Sequence, residues 1–391
     1  MLIKNIDSLM ISKNDLRRHV DLRIRGRQVA ELGKDLEPEG NERIIDGGGM
    51  VVYPGFVNTH HHLYQTLFRA VPLVSDAKLF DWLTALYEAW KFIDSEAVYL
   101  SAKVGIAELL LSGCTSVADH FYLFPRKEED SLLDHTIRAA SELGVRFHPT
   151  RGSMSLGRSK GGLPPDSVVQ TEDEIIEDSL RVIARWHDPS PASMCRIGLA
   201  PCSPFSVTAD LMVRTAELAR EKGVRLHTHL AETEDENAFC LERSGVRPLA
   251  LMESLGWLGD DVWFAHGIHF NDSELALLAK TGTGVAHCPS SNLRLGSGIA
   301  RVPEMYDMDI PVGLAVDGSA SNDCSNMLLE VRMATLIHRI GTGVSSMPAL
   351  KALDIATSGG ARLLGREDEL GTLEPGKLAD LAMFSLDDIV M

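Results

Sequence analysis

The sequence predicts an α/β fold: a closed parallel (β/α)8 barrel of the TIM type with a small β unit ahead of it. Three observations carry that prediction. Eight short apolar runs suited to strands recur from residue 51 onward. Between them lie stretches with apolar residues at three- and four-residue spacing, the mark of amphipathic helices. Residues of metal-ligand type fall at the carboxyl end of one run after another, where such a barrel places its chemistry. An open doubly wound sheet is the alternative. It would carry a Gly-rich phosphate loop after its first strand, and this sequence has none.

Residues 1 to about 50 alternate short strands, at 2–5, 20–24 and 29–32, with turns, one of them at Arg25-Gly26-Arg27. That pattern predicts the small β unit. The barrel strands are expected at 51–57, 116–119, 145–149, 195–200, 224–229, 262–266, 283–287 and 311–316. Helices are expected at 96–111, 175–186, 209–221 and 273–280, among others. Asn271-Asp272-Ser273-Glu274 is an N-cap cluster for the last of these. Gly223 and Gly282 follow helix ends, where a left-handed residue is favoured.

The 391 residues suffice for one barrel domain plus a smaller appendage. Net charge is −17 with His neutral. Such a surface repels phosphate backbones and anionic lipid, so nucleic acid and membranes are excluded as partners and a free small molecule is expected. Lys4 places a charge inside the first apolar run, and no long uncharged apolar stretch occurs, so neither a signal peptide nor a membrane span is expected. The six Cys are scattered without a C-x-x-C pair, which suits a reducing cytoplasm and buried apolar roles.

The first barrel strand runs into His60-His61-His62. Residues two apart on a strand share a side, so His60 and His62 face one way and His61 the other. His227 and His229 are again two apart. Only one needs to reach an ion; His229, nearer the strand end, is assigned, with His227 in packing or support. The sixth, seventh and eighth strands end at His266, His287 and Asp317. A core His bonded to a carbonyl explains any one of these, but not so many at the same end of successive strands. His60, His62, His229 and Asp317 offer three neutral imidazoles and a carboxylate with a position left for water, a catalytic zinc arrangement. Glu232, three residues after His229, is placed to carry protons; its plain alternative is a Glu favoured by a helix dipole. His266 is placed to hydrogen-bond the bound water, or else is a buried structural His.

These residues resemble the amidohydrolase superfamily in its cytosine/guanine-deaminase-like branch. The resemblance rests on Pro54-Gly55-Phe56-Val57-Asn58-Thr59-His60-His61-His62, Thr228-His229-Leu230-Ala231-Glu232-Thr233, Ala265-His266-Gly267 and Ala286-His287-Cys288-Pro289-Ser290-Ser291-Asn292. It continues through Val316-Asp317-Gly318-Ser319-Ala320-Ser321-Asn322-Asp323 and Gly371-Thr372-Leu373-Glu374-Pro375-Gly376-Lys377-Leu378-Ala379-Asp380-Leu381. Within the branch, His62-Leu63-Tyr64-Gln65-Thr66-Leu67-Phe68-Arg69-Ala70, Leu79-Phe80-Asp81-Trp82-Leu83 and Arg151-Gly152-Ser153-Met154-Ser155-Leu156-Gly157 resemble 8-oxoguanine deaminases and their hydroxyatrazine-hydrolase relatives.

The resemblance implies a barrel over 51–365 and a small β-sandwich-type domain from 1–50 plus 366–391. It implies one Zn2+, with Fe2+ as the alternative, held by His60, His62, His229 and Asp317, and proton handling by Glu232, His266 and Asp317. Two-metal members carry a bridging Lys at the end of the fourth strand; Ile197-Gly198-Leu199-Ala200-Pro201 has none, which argues for one metal and against a cyclic-amide hydrolase. The implied reaction is hydrolytic deamination of a heterocyclic base, 8-oxoguanine to urate and ammonia, with guanine and isocytosine as weaker substrates. An N-dealkylating s-triazine hydrolase and a non-catalytic barrel scaffold are the alternatives. A cytoplasmic homodimer is the family expectation. For substrate binding, Gln65 is expected to pair with an amide edge, Arg151 with a carbonyl oxygen, and Trp82 with the ring face. Their plain alternatives are a turn cap, a surface ion pair and the core, and the substrate role comes first only for Gln65. Relatives continue past Ala379-Asp380-Leu381 with further strands, so the small β unit, which stops at Met391, is expected to be incomplete.

Overall fold

The computed structural model describes residues 1–126 and 131–386; residues 387–391, the end of the expected small domain, lie outside the described residues. The chain opens with β1 (Leu2–Ser12), β2 (Asp15–Arg25), β3 (Gln28–Gly33), β4 (Ile44–Asp46) and β5 (Met50–Pro54). β1 and β2 form a long antiparallel pair, and β4 and β5 both lie parallel to β1. These strands bury Ile3, Ile6, Leu9, Ile11, Val20, Leu22, Val29 and Val52 in a core separate from the barrel's, with a register shift in β1 between Ile3 and Ile6.

The barrel follows as β6 (Phe56–Asn58), β7 (Cys114–Phe121), β8 (Arg146–Ser153), β9 (Gly198–Pro201), β10 (Arg225–Leu230), β11 (Val262–His266), β12 (Gly284–His287) and β13 (Val312–Leu314). Each strand pairs in parallel with its chain neighbour. The seam between β13 and β6 is held by Thr59 N donating to Leu314 O (3.2 Å) and Asp317 N to His60 O (3.2 Å). β14 (Leu381–Ser385) returns to the first sheet and pairs antiparallel with β5, which makes that sheet mixed and six-stranded. The eight-stranded parallel barrel and the separate sheet of N- and C-terminal strands agree with the expected fold class.

One expected strand is corrected. The run at 51–57 is two strands in two sheets, so the small sheet reaches past residue 50. An apolar run shows burial but not which sheet provides it. The pivot is Gly55, where a Cβ would lie 2.0 Å from Thr115 Oγ1. Two other strands run further than expected: β7 extends through His120, and β8 takes in Arg151.

The expected helices appear as Ser95–Leu111, Glu172–Trp186, Ala209–Lys222 and Asp272–Thr281. Asn271 and Glu274 form a reciprocal capping box on the last. Gly223 and Gly282 end their helices at φ +65° and +74°. Among the described residues no helix is long and apolar enough to cross a membrane.

Candidate active site

The strand ends bring His60, His62, His229, His266 and Asp317 to one buried place. Hydrogen bonding to the far side of each ring fixes the tautomers. His62 Nδ1 donates to His120 O (2.7 Å) and His229 Nδ1 to Cys202 O (2.6 Å). Burial holds both imidazoles below their ordinary pKa, so they are neutral and each Nε2 carries a lone pair. Those two Nε2 atoms face each other at 3.0 Å.

His60 repeats the pattern through a relay. His227 Nδ1 donates to Trp263 O (2.9 Å), which leaves His227 Nε2 to accept from His60 Nδ1 (2.7 Å). His60 Nε2 is therefore a third lone pair. It is buried without a hydrogen-bond partner, 3.3 Å from Asp317 Oδ1. The same oxygen lies 3.4 Å from His62 Nε2. Burial would raise the Asp317 pKa, but the adjoining imidazoles, His60 first and then His266 and His62, hold it well below the carboxylate range. Three lone pairs and a carboxylate oxygen converging in a buried site repel one another unless a cation joins them. The donor set fits a metal, and imidazole with carboxylate suits zinc.

Around this centre sit the proton-handling candidates. Glu232 is buried, and burial pushes its carboxyl up to about 7. One of its oxygens lies 3.6 Å from His266 Nε2. Burial disfavours charge on His266, but Glu232 and Asp317 outweigh it and raise its pKa. His266 Nδ1 is held by Asn292 Oδ1 at 2.8 Å. Ser291 donates to Asp317 Oδ2 at 2.6 Å, and Ser321 to the same oxygen at 3.3 Å. Ala231, His266 and Asp317 all take positive φ, at +55°, +74° and +63°. Such strain outside glycine collects at functional sites.

A small cavity of about 30 Å³ opens onto these residues. Gln65 and Trp82 line it, with Leu79, Leu83, Phe205 and Leu295 as apolar walls. Gln65 Oε1 is buried without a hydrogen-bond partner. Arg151 is corrected: it does not line the cavity. It lies inside β8, with Nε on Asp178 (2.8 Å), Nη2 on Gln170 (2.8 Å) and Nη1 on Gly152 O (2.6 Å). Alternation turns it outward, toward the helix Glu172–Trp186 that carries Asp178. His61 points away from the site to Ser325 Oγ (3.0 Å), as the alternation requires. His287 faces His338 (3.2 Å) and does not line the cavity.

Gln65 also explains Gly318, whose φ of −68° demands no glycine. A Cβ there would stand 1.9 Å from Gln65 Oε1. Gly318→Ala is expected to cost about 1–3 kcal/mol of stability through overpacking and to weaken substrate binding. Thermal unfolding checks it: adding Gln65→Ala to Gly318→Ala restores the lost stability if this contact is the cause.

His120 escaped the sequence reading. It lies at the end of β7, one residue beyond the strand expected there. Its ring stacks on His229 with centroids 4.8 Å apart and planes at 25°, and its Nδ1 is buried without a partner. It falls with His60, His62 and His229 in one group able to hold an ion. The strand-end rule that found the others finds this one once β7 is given its full length. Glu236 also went unseen. It accepts from Ala231 N (3.1 Å) and Glu232 N (2.9 Å) and so fixes the segment that carries Glu232.

Comparison with known proteins places this geometry. The amidohydrolase family profile matches residues 51–390. An 8-oxoguanine deaminase from Pseudomonas aeruginosa is 51% identical over 365 residues, 93% of this chain and 81% of that protein. A hydroxydechloroatrazine ethylaminohydrolase from Pseudomonas sp. strain ADP is 37% identical over 384 residues, 95% of this chain and 79% of that one. The crystal structure of an atrazine chlorohydrolase from Arthrobacter aurescens, complexed with zinc, superposes with a TM-score of 0.93 at 36% identity, covering 99% of this chain and 88% of its own.

Proposed function

The chain belongs to the amidohydrolase family, and on that footing we propose that it is a metal-dependent hydrolytic deaminase of a free amino-substituted heterocycle, with 8-oxoguanine as the substrate and urate and ammonia as products. The observation that carries the reading is the meeting of the His60, His62 and His229 lone pairs with the Asp317 carboxylate. These four residues hold one metal ion in this reading, zinc by the donor set and by the zinc-bound relative, with iron(II) as the alternative.

When bound, the metal lowers the pKa of its water to about 7 and so supplies hydroxide at neutral pH. The chain's own residues do the rest. Glu232, whose pKa near 7 leaves it able to hold or release a proton, protonates the ring nitrogen beside the amino-bearing carbon. His266, anchored by Asn292, presents Nε2 toward the oxygen that gains charge. As the oxygen of water bonds to the amino-bearing carbon, Asp317, oriented by Ser291 and Ser321 on its Oδ2, takes the second proton from that oxygen and passes it to the amino nitrogen, so that the C–N bond breaks and ammonia leaves. Gln65 offers Oε1 to a ring N–H, and Trp82 packs against the ring. The six cysteines are all free, which suits a reducing cytoplasm. A homodimer is the assembly we expect.

The ethylaminohydrolase relative favours a second reading, release of an alkylamine from a hydroxy-s-triazine. A panel of amino-purines, amino-pyrimidines, pterins and triazines separates the two. The expected result is stoichiometric ammonia from 8-oxoguanine, with kcat/KM at least about 100-fold above that for hydroxyatrazine, guanine or isocytosine. Preferential alkylamine release would select the second reading.

A further inference from the structure

At the opposite end of the barrel, where the strands begin, lies a second cavity of about 290 Å³ that shares no lining residue with the first. Its polar lining includes His148, Arg196 and Arg225. The strand register brings them together. Thr150 pairs with Gly198, which pairs with Arg225, and Arg196 N donates to Phe147 O (3.1 Å) next to His148.

Arg146 and Arg366 complete the basic cluster. Arg146 is paired with Asp380 (2.9 Å), while Arg196 (2.8 Å) and Arg366 (2.7 Å) share the single carboxylate of Glu369. Among the described residues no carboxylate lies within ion-pair distance of Arg225; Asp261, Glu367 and Asp260 act on it only at longer range. One of its terminal nitrogens is bound to Asp260 O, and its Nε is buried without a partner. Three guanidiniums thus share two carboxylates and the fourth, Arg225, has none among the described residues, in a chain whose net charge is −17. His148 is buried, and its one contact to this cluster is a long 3.5 Å approach to Arg366. Burial and the neighbouring arginines hold it neutral, so it keeps an N–H to donate.

A half-buried guanidinium whose buried Nε–H goes unmet is costly, and the group that best meets a fork of such donors is a multi-oxygen anion. We propose that this floor cavity is a binding site for a phosphate-type oxoanion, held between Arg225, Arg196 and His148. The anion is inorganic phosphate or the phosphate of a small monoester. A tetrahedral group offers enough oxygens for two forks and an imidazole at once, which a planar carboxylate does not. The site is independent of the chemistry assigned to the barrel mouth.

Thermal unfolding of the zinc-loaded protein tests it, with phosphate compared against chloride at equal ionic strength. At about 10 mM phosphate the midpoint is expected to rise by about 3 °C. Arg225→Gln and His148→Gln should each remove the rise. Arg220→Gln, at the exposed pair with Asp261 (3.0 Å), should keep it. A larger rise with glycerol phosphate than with inorganic phosphate assigns the monoester, and the reverse assigns the free ion. If Arg225→Gln does not fold, phosphate calorimetry on the wild type and His148→Gln carries the test. A wild type that responds no more to either phosphate than to chloride, or floor variants that retain the response, would overturn the proposal.

Discussion

Glu232→Gln is expected to lower kcat by about 10²- to 10⁴-fold, the usual contribution of a positioned acid–base group. Glutamine keeps the side chain's size and its place against His266, 3.6 Å away, but cannot release a proton to the ring nitrogen. Metal content should stay unchanged, because Glu232 stands outside the group of imidazoles and carboxylate that converges on the ion site. Stability should hold or rise. Burial pushes the Glu232 carboxyl up to about 7, so the charged form is disfavoured where it sits, and a neutral amide removes that penalty. The measurements are kcat on the preferred base, zinc per chain and the unfolding midpoint. Full turnover with full zinc would take Glu232 out of the mechanism, whereas lost turnover with lost zinc would make it a support of the metal site.

Much of this site is legible in the sequence because a strand repeats every two residues. His60 and His62 must share a side once they are placed on one strand, and His61 must leave it, as its bond to Ser325 shows. His227 and His229 obey the same rule. His229 faces His62, and His227 stands behind His60 as the acceptor that fixes its tautomer. The failures have the same physical origin. The strand expected at 116–119 stops two residues short of the end of β7 at Phe121, which hides His120. The strand expected at 145–149 stops before Arg151, which makes an outward strand residue look like a loop residue free to meet a ligand. The run at 51–57 is apolar throughout, and alternation cannot show that Gly55 turns the chain from one sheet into another. What no local pattern reveals is the set of distant partners. Asn292 on His266, Ser291 on Asp317 and Arg366 near His148 meet only after the barrel closes, across 26 to 218 residues of chain.

Removing the metal is expected to abolish turnover, and one equivalent of Zn2+ per chain is expected to restore it. The prediction follows from the tautomers. With Nδ1 of His62 and His229 committed to backbone carbonyls, both Nε2 atoms stay lone-pair donors 3.0 Å apart, beside His60 Nε2 and an ionised Asp317. Protonation cannot relieve them cheaply, since burial holds these imidazoles below their ordinary pKa. The metal-free protein must either spread these side chains or admit water, and each route loosens the strand ends that define the substrate cavity. Chelation should therefore lower the unfolding midpoint as well as activity, by about 5–10 °C if zinc is present at some thousand times its dissociation constant. Asp317→Asn and His229→Ala should each bring bound zinc below one per chain, with activity falling in step. Zinc titration into the apoprotein, followed by ammonia release, reads both stoichiometry and function. Activity that survives complete chelation would end the metal reading. A titration that needs two equivalents would replace the single ion with a pair, and His120, with its unpartnered Nδ1 beside His229, would then be the first residue to substitute.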